Sequence, residues 1–545
     1  MSAFFIILII LFIFGWLTYH NAKANRRKRL EELKAQWGKP KKEHFPFHLI
    51  EQYSTVADDL AAHELSAQTM ADIDFYEVFS FVDRTVSKPG QQFLFNKLKI
   101  PVADEKELLE LDRQADFFLK DEPLRIYIQE QLWRLSEPES YSIPELLKEK
   151  LLQRPSWFNW LYLDLAIVII LLALSFIYPV CLILLIIPLA INMFLHFWNS
   201  NNTFGFIRSL PQLNRLIRAV ELIGKQDIPV ENGAALRAVA ALKGFRKKLN
   251  YITLGGDGGV KDELAQAALY IWQMLKAVFL VEVITFFKLV KELENKQAPI
   301  RDLFKFIGQV DAALSVASLR SGELQVCKPV FLKRNKQLSI EDAYHPLIEN
   351  CTRNSIAVNG KSILITGSNM SGKTSFLRMV AVNSLLSQTL YTCFAAAYSA
   401  PFVRLSSSIR IDDNLLEGKS YYFEEVNVMG ELIQQSQSGD QNLFMLDEVF
   451  KGTNTVERIA AARAILSYLN KNGNIVFVST HDIELAGMLE EEYDLYHFSE
   501  TVKDGELYFD HQLKKGSLTT RNAIRILEMA GYPGEIIQNA RNYTT

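Results

Sequence analysis

The stretch that decides the fold is SILITGSNMSGKTSFL, residues 362–377. Ser362 to Thr366 is a short apolar run of the kind that forms a buried strand. Phe376 onward (FLRMVAVNSLL) has helical spacing. Between them, Gly367-Ser-Asn-Met-Ser-Gly372-Lys373-Thr374 matches the pattern G-x-x-x-x-G-K-[ST]. The chemistry follows from the residue types. Gly367 and Gly372 let the backbone turn so that its N–H groups converge on phosphate oxygens. The start of the following helix adds partial positive charge. Lys373 can reach the β and γ oxygens, and Thr374 can ligate Mg²⁺. The stretch predicts an α/β P-loop domain, with Gly367, Ser368, Asn369, Met370, Ser371, Gly372, Lys373, Thr374 and Ser375 around the phosphates of ATP.

Such a site needs an acidic strand end. Asn442-Leu-Phe-Met-Leu446-Asp447-Glu448 supplies one. Asp447 is expected to hold Mg²⁺ through water, and Glu448 to orient or deprotonate the attacking water. A third apolar run, Ile475-Val-Phe-Val-Ser479-Thr480, ends at His481, placed to contact the γ-phosphate. Lys373, Glu448 and His481 form the expected catalytic set. Alone, an Asp-Glu pair after an apolar run is commonly a helix cap and a His a surface residue; the glycine-rich loop changes that weighting. Short β-like runs alternating with helices over 326–545 predict a largely parallel sheet.

These residues resemble the MutS family, the DNA mismatch-repair branch of the ABC-type ATPases. The family's loop reads close to TGPNMGGKST, against Thr366-GSNMSGKTS here. Its DE-x-x-x-GT block is similar to Asp447-Glu448-Val-Phe-Lys-Gly452-Thr453, and its TH to Thr480-His481. His345-Pro346 and a tail of Gly516-Ser517, Asn522-Ala523 and Ala530-Gly531-Tyr532-Pro533 also fit. Ser420-Tyr-Tyr-Phe-Glu-Glu425 resembles a segment that faces the other subunit's nucleotide. The resemblance therefore implies a homodimer with Ser420 as a contact to the partner's γ-phosphate. Val82-Asp83-Arg84-Thr85, then Gly90, Leu98 and Pro101, is similar to the start of that family's all-α core. It implies ATP and Mg²⁺ as cofactors and DNA as a partner. The resemblance implies ATP hydrolysis coupled to DNA binding of the mismatch-repair type, whereas an N-terminal apolar segment and a short basic linker stand where that family carries its mismatch-reading domain. An alternative is a membrane-bound mechanochemical switch that acts on a protein or membrane partner without DNA.

Outside that domain the chain is helical and apolar. Ala3 to Tyr19 is just long enough to span a bilayer core. The basic run Lys23, Arg26, Arg27, Lys28 and Arg29 follows it, which puts the N-terminus outside and the next segment in the cytoplasm. A cleaved signal peptide would carry its positive charge before the apolar run instead. Trp157 to Trp198, broken at Tyr178-Pro179, is about twice one span and predicts a hairpin, giving three transmembrane helices in all. The expected organisation is an anchor at 1–20, helical core at 21–155, hairpin at 156–198, helical core at 199–325 and ATPase at 326–545. The expected location is the inner or plasma membrane, with core and ATPase in the cytoplasm. Lys88-Pro89-Gly90 predicts a turn between helices, and Gly255 to Gly259 a loop tip.

Composition is consistent with this. Over 545 residues, 22% are charged, 49% are apolar and the formal net charge is -3. That argues against global disorder and is not the footprint of a strongly basic nucleic-acid binder, though a local basic patch can sit within a near-neutral total. Local basic clusters at Lys243, Arg246, Lys247 and Lys248, and at Lys333, Arg334 and Lys336, are candidate phosphate contacts, with a solvated helix face as the bland reading. The four cysteines, Cys181, Cys327, Cys351 and Cys393, have no metal-ligand spacing and read as reduced thiols.

Overall fold

The computed structural model describes residues 2–57, 63–148, 156–202, 204–253, 274, 278–333, 335–368, 370–410, 421–450, 454–503, 506–517, 524, 527–528 and 531–542. Asn369, Ser420, Arg334, Gly452, Thr453 and the 255–259 cluster lie outside the described residues. The chain divides into two compact units. One is Met1–Asp59, Arg84–Asn96 and Arg113–Ser318; the other is Leu60–Asp83, Lys97–Asp112 and Leu319–Thr545.

The first unit is helical among the described residues. The Ala3–Tyr19 run forms the first half of one helix, Ser2–Gln36. Helices Phe204–Ile223 and Gln297–Arg320 fall in the stretch expected to be helical, 199–325. Lys88-Pro89-Gly90 is not a turn between helices. It is the first turn of helix Lys88–Lys99, where proline's missing N–H costs nothing. Asp311 makes that helix start. Its carboxylate, fully buried, accepts from the Val86 and Ser87 amides at 2.9 and 2.7 Å and from the Ser87 hydroxyl at 2.6 Å. A Cβ at Gly90 would overlap that carboxylate, so only glycine fits there.

The hairpin region holds helices Trp160–Ser175, Val180–Leu184 and Ile186–Asn202, with the break at the expected Tyr178-Pro179. Trp157–Ser175 is the one described helix long and apolar enough to cross a membrane, by length and composition. The expected three spans are therefore not met among the described residues. The second limb is a shorter apolar helix, Val180–Leu195. Pro188 cannot donate to the Leu184 carbonyl one turn back, and the helix is interrupted at Leu185, whose backbone stays in the right-handed region.

The second unit is mixed α/β. In chain order its described strands are β1 Val330–Phe331, β2 Gln337–Ala343, β3 Asn354–Asn359, β4 Ser362–Thr366, β5 Ala397–Ala400, β6 Arg404–Ser408, β7 Asn442–Asp447, β8 Ile475–Thr480, β9 Tyr493–His497, β10 Glu500–Lys503, β11 Glu506–Phe509 and β12 Lys514–Lys515. A six-stranded sheet runs β12-β9-β4-β8-β7-β6. Its members are parallel except β12. Every residue of β4 and β8 is buried, which is why they read as continuous apolar runs rather than alternating ones. Helices Thr455–Leu469 and Ile483–Leu489 pack Leu466, Leu469, Leu485 and Leu489 against β7 and β8; each such side chain contributes about 1.5–3 kcal/mol. A smaller sheet, β1-β5-β2-β3, flanks the entry to β4. Asp72 joins the early segment to β6: it accepts from the Ser407 hydroxyl at 2.6 Å and the Ile409 and Arg410 amides at 3.0 and 2.7 Å.

Candidate nucleotide site

β4 delivers the chain from the middle of the sheet to the glycine-rich loop, and the helix Lys373–Leu390 leaves from it. Gly367 and Gly372 have φ of +152° and +111°. A Cβ on Gly367 would press on the Phe498 carbonyl, and one on Gly372 on the His511 ring. Both glycines are thus needed for backbone conformation and for space.

Lys373 is buried, with Nζ donating to the Gly367 and Ser368 carbonyls at 2.8 and 3.0 Å. Its ammonium lies across the loop at the helix start. The Thr374 hydroxyl donates to Asp447 Oδ2 at 2.6 Å, and the Ser479 hydroxyl donates to the other oxygen. β7 and β8 are adjacent and in register at Asp447 and Ser479. That pairing puts the acidic strand end beside the loop. Glu448 follows with φ +54°, its amide donating to the Ser479 carbonyl at 2.9 Å. Its carboxylate meets His481 Nε2.

Most of the described site residues that the sequence singled out line one cavity of about 480 Å³, while Asp447 and His481 join it through Thr374 and Glu448. Ser368, Met370, Gly372, Lys373, Thr374, Ser375 and Glu448 line it. Met370 is 82% exposed at its mouth. Ser371 is buried and turned inward, donating to the Ser368 carbonyl at 2.8 Å.

Sequence reasoning missed His511, Glu500 and Phe498. His511 Nδ1 lies 3.0 Å from the Ser371 carbonyl, and its own carbonyl accepts from Asn354 at 3.0 Å. Ser368 donates to the Glu500 carboxylate. These residues come from the β9–β12 region, which no local motif links to the loop. His345 is buried beside Arg378, and burial pushes its imidazole down to about 4, so it is neutral at physiological pH.

The residues fit Mg²⁺ with a triphosphate. Thr374 and Asp447 offer hard oxygen donors side by side. Among the described residues no cluster of three His, Cys, Asp or Glu forms a dedicated metal cage. The basic clusters are less available. Arg246 is paired with Glu221 at 2.9 Å and Lys248 with Glu292 at 2.7 Å. Lys336 is mostly buried, donating to Asn470.

The sequence profile of MutS domain V matches residues 363–545, which hold the whole strand–loop–helix and both acidic and histidine strand ends. The chain is similar to the MutS family over that stretch. It is 28% identical over 295 residues to the DNA mismatch repair protein MutS of Oceanobacillus iheyensis, covering 52% of this chain and 33% of that one. The MutS of Bacillus cereus is 28% identical over 318 residues, 56% of this chain and 35% of that one. The Thermus thermophilus protein is 29% identical over 262 residues, 47% and 31%. The chain thus spans about a third of the length of these curated relatives.

Proposed function

We propose that the chain is a membrane-anchored, Mg²⁺-dependent P-loop ATPase that works as a homodimer and couples ATP turnover to DNA. The observation that carries the ATPase reading is the meeting of Lys373, Thr374 and Glu448 at one cavity, with Asp447 bonded to the Thr374 hydroxyl. Lys373 is the charge partner of the β and γ phosphates. Thr374 and Asp447 hold Mg²⁺, which supplies charge neutralisation at the transferring phosphoryl group. Glu448 takes the proton of the attacking water, and His481, in contact with it, orients the carboxylate and faces the γ-phosphate. Ser420 of one protomer completes the site of the other. The ATPase and helical core lie in the cytoplasm, at the inner or plasma membrane.

DNA as the partner rests on the relatives, each named for DNA mismatch repair. The second reading, a mechanochemical switch without DNA, is favoured by the internal pairing of Arg246 and Lys248. Detergent-solubilised protein titrated with duplex, mismatched and branched DNA across a salt series distinguishes them. A DNA-coupled ATPase loses affinity with a slope of about -0.9 per phosphate contacted on duplex DNA, and DNA changes its ATP turnover. Absence of binding at low salt moves the assignment to the switch.

A further inference from the structure

Cys327 and Cys393 face each other across an isolated antiparallel bridge in the second unit. Each donates its amide to the other's carbonyl, both at 2.9 Å. In such a reciprocally bonded pair the Cα atoms stand about 5.5 Å apart, inside the range of about 4.4–6.8 Å that a disulfide bridges. The thiols touch, Cys393 S–H donating to the Cys327 sulfur. Their surroundings differ. Cys393 is fully buried, its sulfur 3.6 Å from the Asn383 carbonyl. Cys327 is half-buried and reachable.

We propose that Cys327 and Cys393 form a reversible disulfide by exchange with a small-molecule disulfide such as oxidised glutathione. Cys327 attacks and Cys393 resolves. The Cys327 thiolate displaces one glutathione thiolate and becomes a mixed disulfide. Cys393 loses its proton, attacks Cys327 Sγ and releases the second glutathione. Two protein thiols are oxidised by two electrons, one glutathione disulfide is reduced to two thiols, and the two protons end on them. The hydrogen bond from Cys393 holds the Cys327 thiol below its usual pKa, while burial raises that of Cys393. That difference gives the order of attack. The bond closes the segment 327–393, which contains the glycine-rich loop. It ties the strand-like entry at Cys327 to the turn just past Leu390, where Tyr391 ends the loop's helix in the left-handed region.

The test equilibrates the full chain, in detergent, with glutathione redox buffers and reads peptide masses without reduction. The expected product is a Cys327–Cys393 linked peptide that dithiothreitol removes. Cys351→Ala retains the link. Cys393→Ser stops with glutathione on Cys327. Should that buried substitution misfold, Cys327→Ser provides a second reading, in which Cys393 is alkylated at least about tenfold more slowly than wild-type Cys327. Glutathione left on Cys327 of the wild type, a link formed only after unfolding in urea, or equal linkage of Cys393 to Cys351 each overturns the proposal.

Discussion

The Lys373 ammonium is held by two loop carbonyls, 2.8 and 3.0 Å away. Those carbonyls are weak substitutes for phosphate oxygens, so the side chain is arranged to exchange them for a charged ligand. Lys373→Ala removes that cation and is expected to abolish both retention of labelled ATP and hydrolysis. Glu448→Gln preserves the polar contact but cannot accept a proton. It should bind ATP normally and turn over about 10²–10⁴-fold more slowly, read by single-turnover kinetics. Normal turnover in either variant removes these roles. Lys373, Thr374, Asp447 and Glu448 were legible in the sequence because each sits next to a strand end with a recognisable pattern. His511 and Glu500 were not. Their places depend on which strands pair across the sheet, and neither has a local spacing that names a role.

At the scale of elements, two buried carboxylates do work that no periodicity reveals. Asp72 takes three hydrogen bonds from residues 407–410, more than three hundred positions away. Asp72→Ala leaves two backbone donors without their acceptor. A loss of about 1–3 kcal/mol is expected in urea unfolding followed by a probe in this unit, with Asp72→Asn losing less. Asp311 holds Ser87, whose hydroxyl caps helix Lys88–Lys99 by accepting from the Gly90 amide, and burial raises the Asp311 carboxyl to about 6 from 3.8. The folded state therefore favours its protonated form. The stability this contributes is fully present below pH 3.8 and is lost as pH rises through about 6. The difference is about 3 kcal/mol across that window. His345 acts in the opposite sense: its stabilisation is present above 6.5 and lost as pH falls through about 4. Comparing wild type with Asp311→Asn isolates the first effect, since only the wild type should show that component between pH 4 and 6. Identical pH profiles would exclude it. The sequence placed a turn at Lys88-Pro89-Gly90 because its residue types suit turns; Asp311, 221 positions after Gly90, fixes the Ser87 whose hydroxyl caps the helix that starts there.

For the whole molecule, the largely parallel pairing was legible from β4, β7 and β8, since strands buried on both faces are uniformly apolar; the order was not, because β8 lies between β4 and β7 although the acidic strand was expected directly beside β4. The division into two units was not, because each is assembled from three separated segments, and a linear reading sees composition rather than contacts. The membrane arrangement is the remaining question at this scale, and the hairpin turn offers a direct measurement. Phe176, Ile177 and Tyr178 are exposed at the turn, and the flanking helices present Ile169, Ile170, Ile183 and Ile187 outward. Such a surface in water is an aggregation hazard, and in lipid it is stable. If the hairpin spans the membrane with both flanks cytoplasmic, as proposed, its turn reaches the outer face. Tyr178→Cys, in a chain whose Cys181 is changed to Ala, should react with a membrane-impermeant maleimide on intact cells. Cys351 should react only after the membrane is opened. A turn that stays protected on intact cells but reacts alongside Cys351 in opened vesicles would place the hairpin on the inner leaflet or in the cytoplasm, and the spanning arrangement would have to be given up.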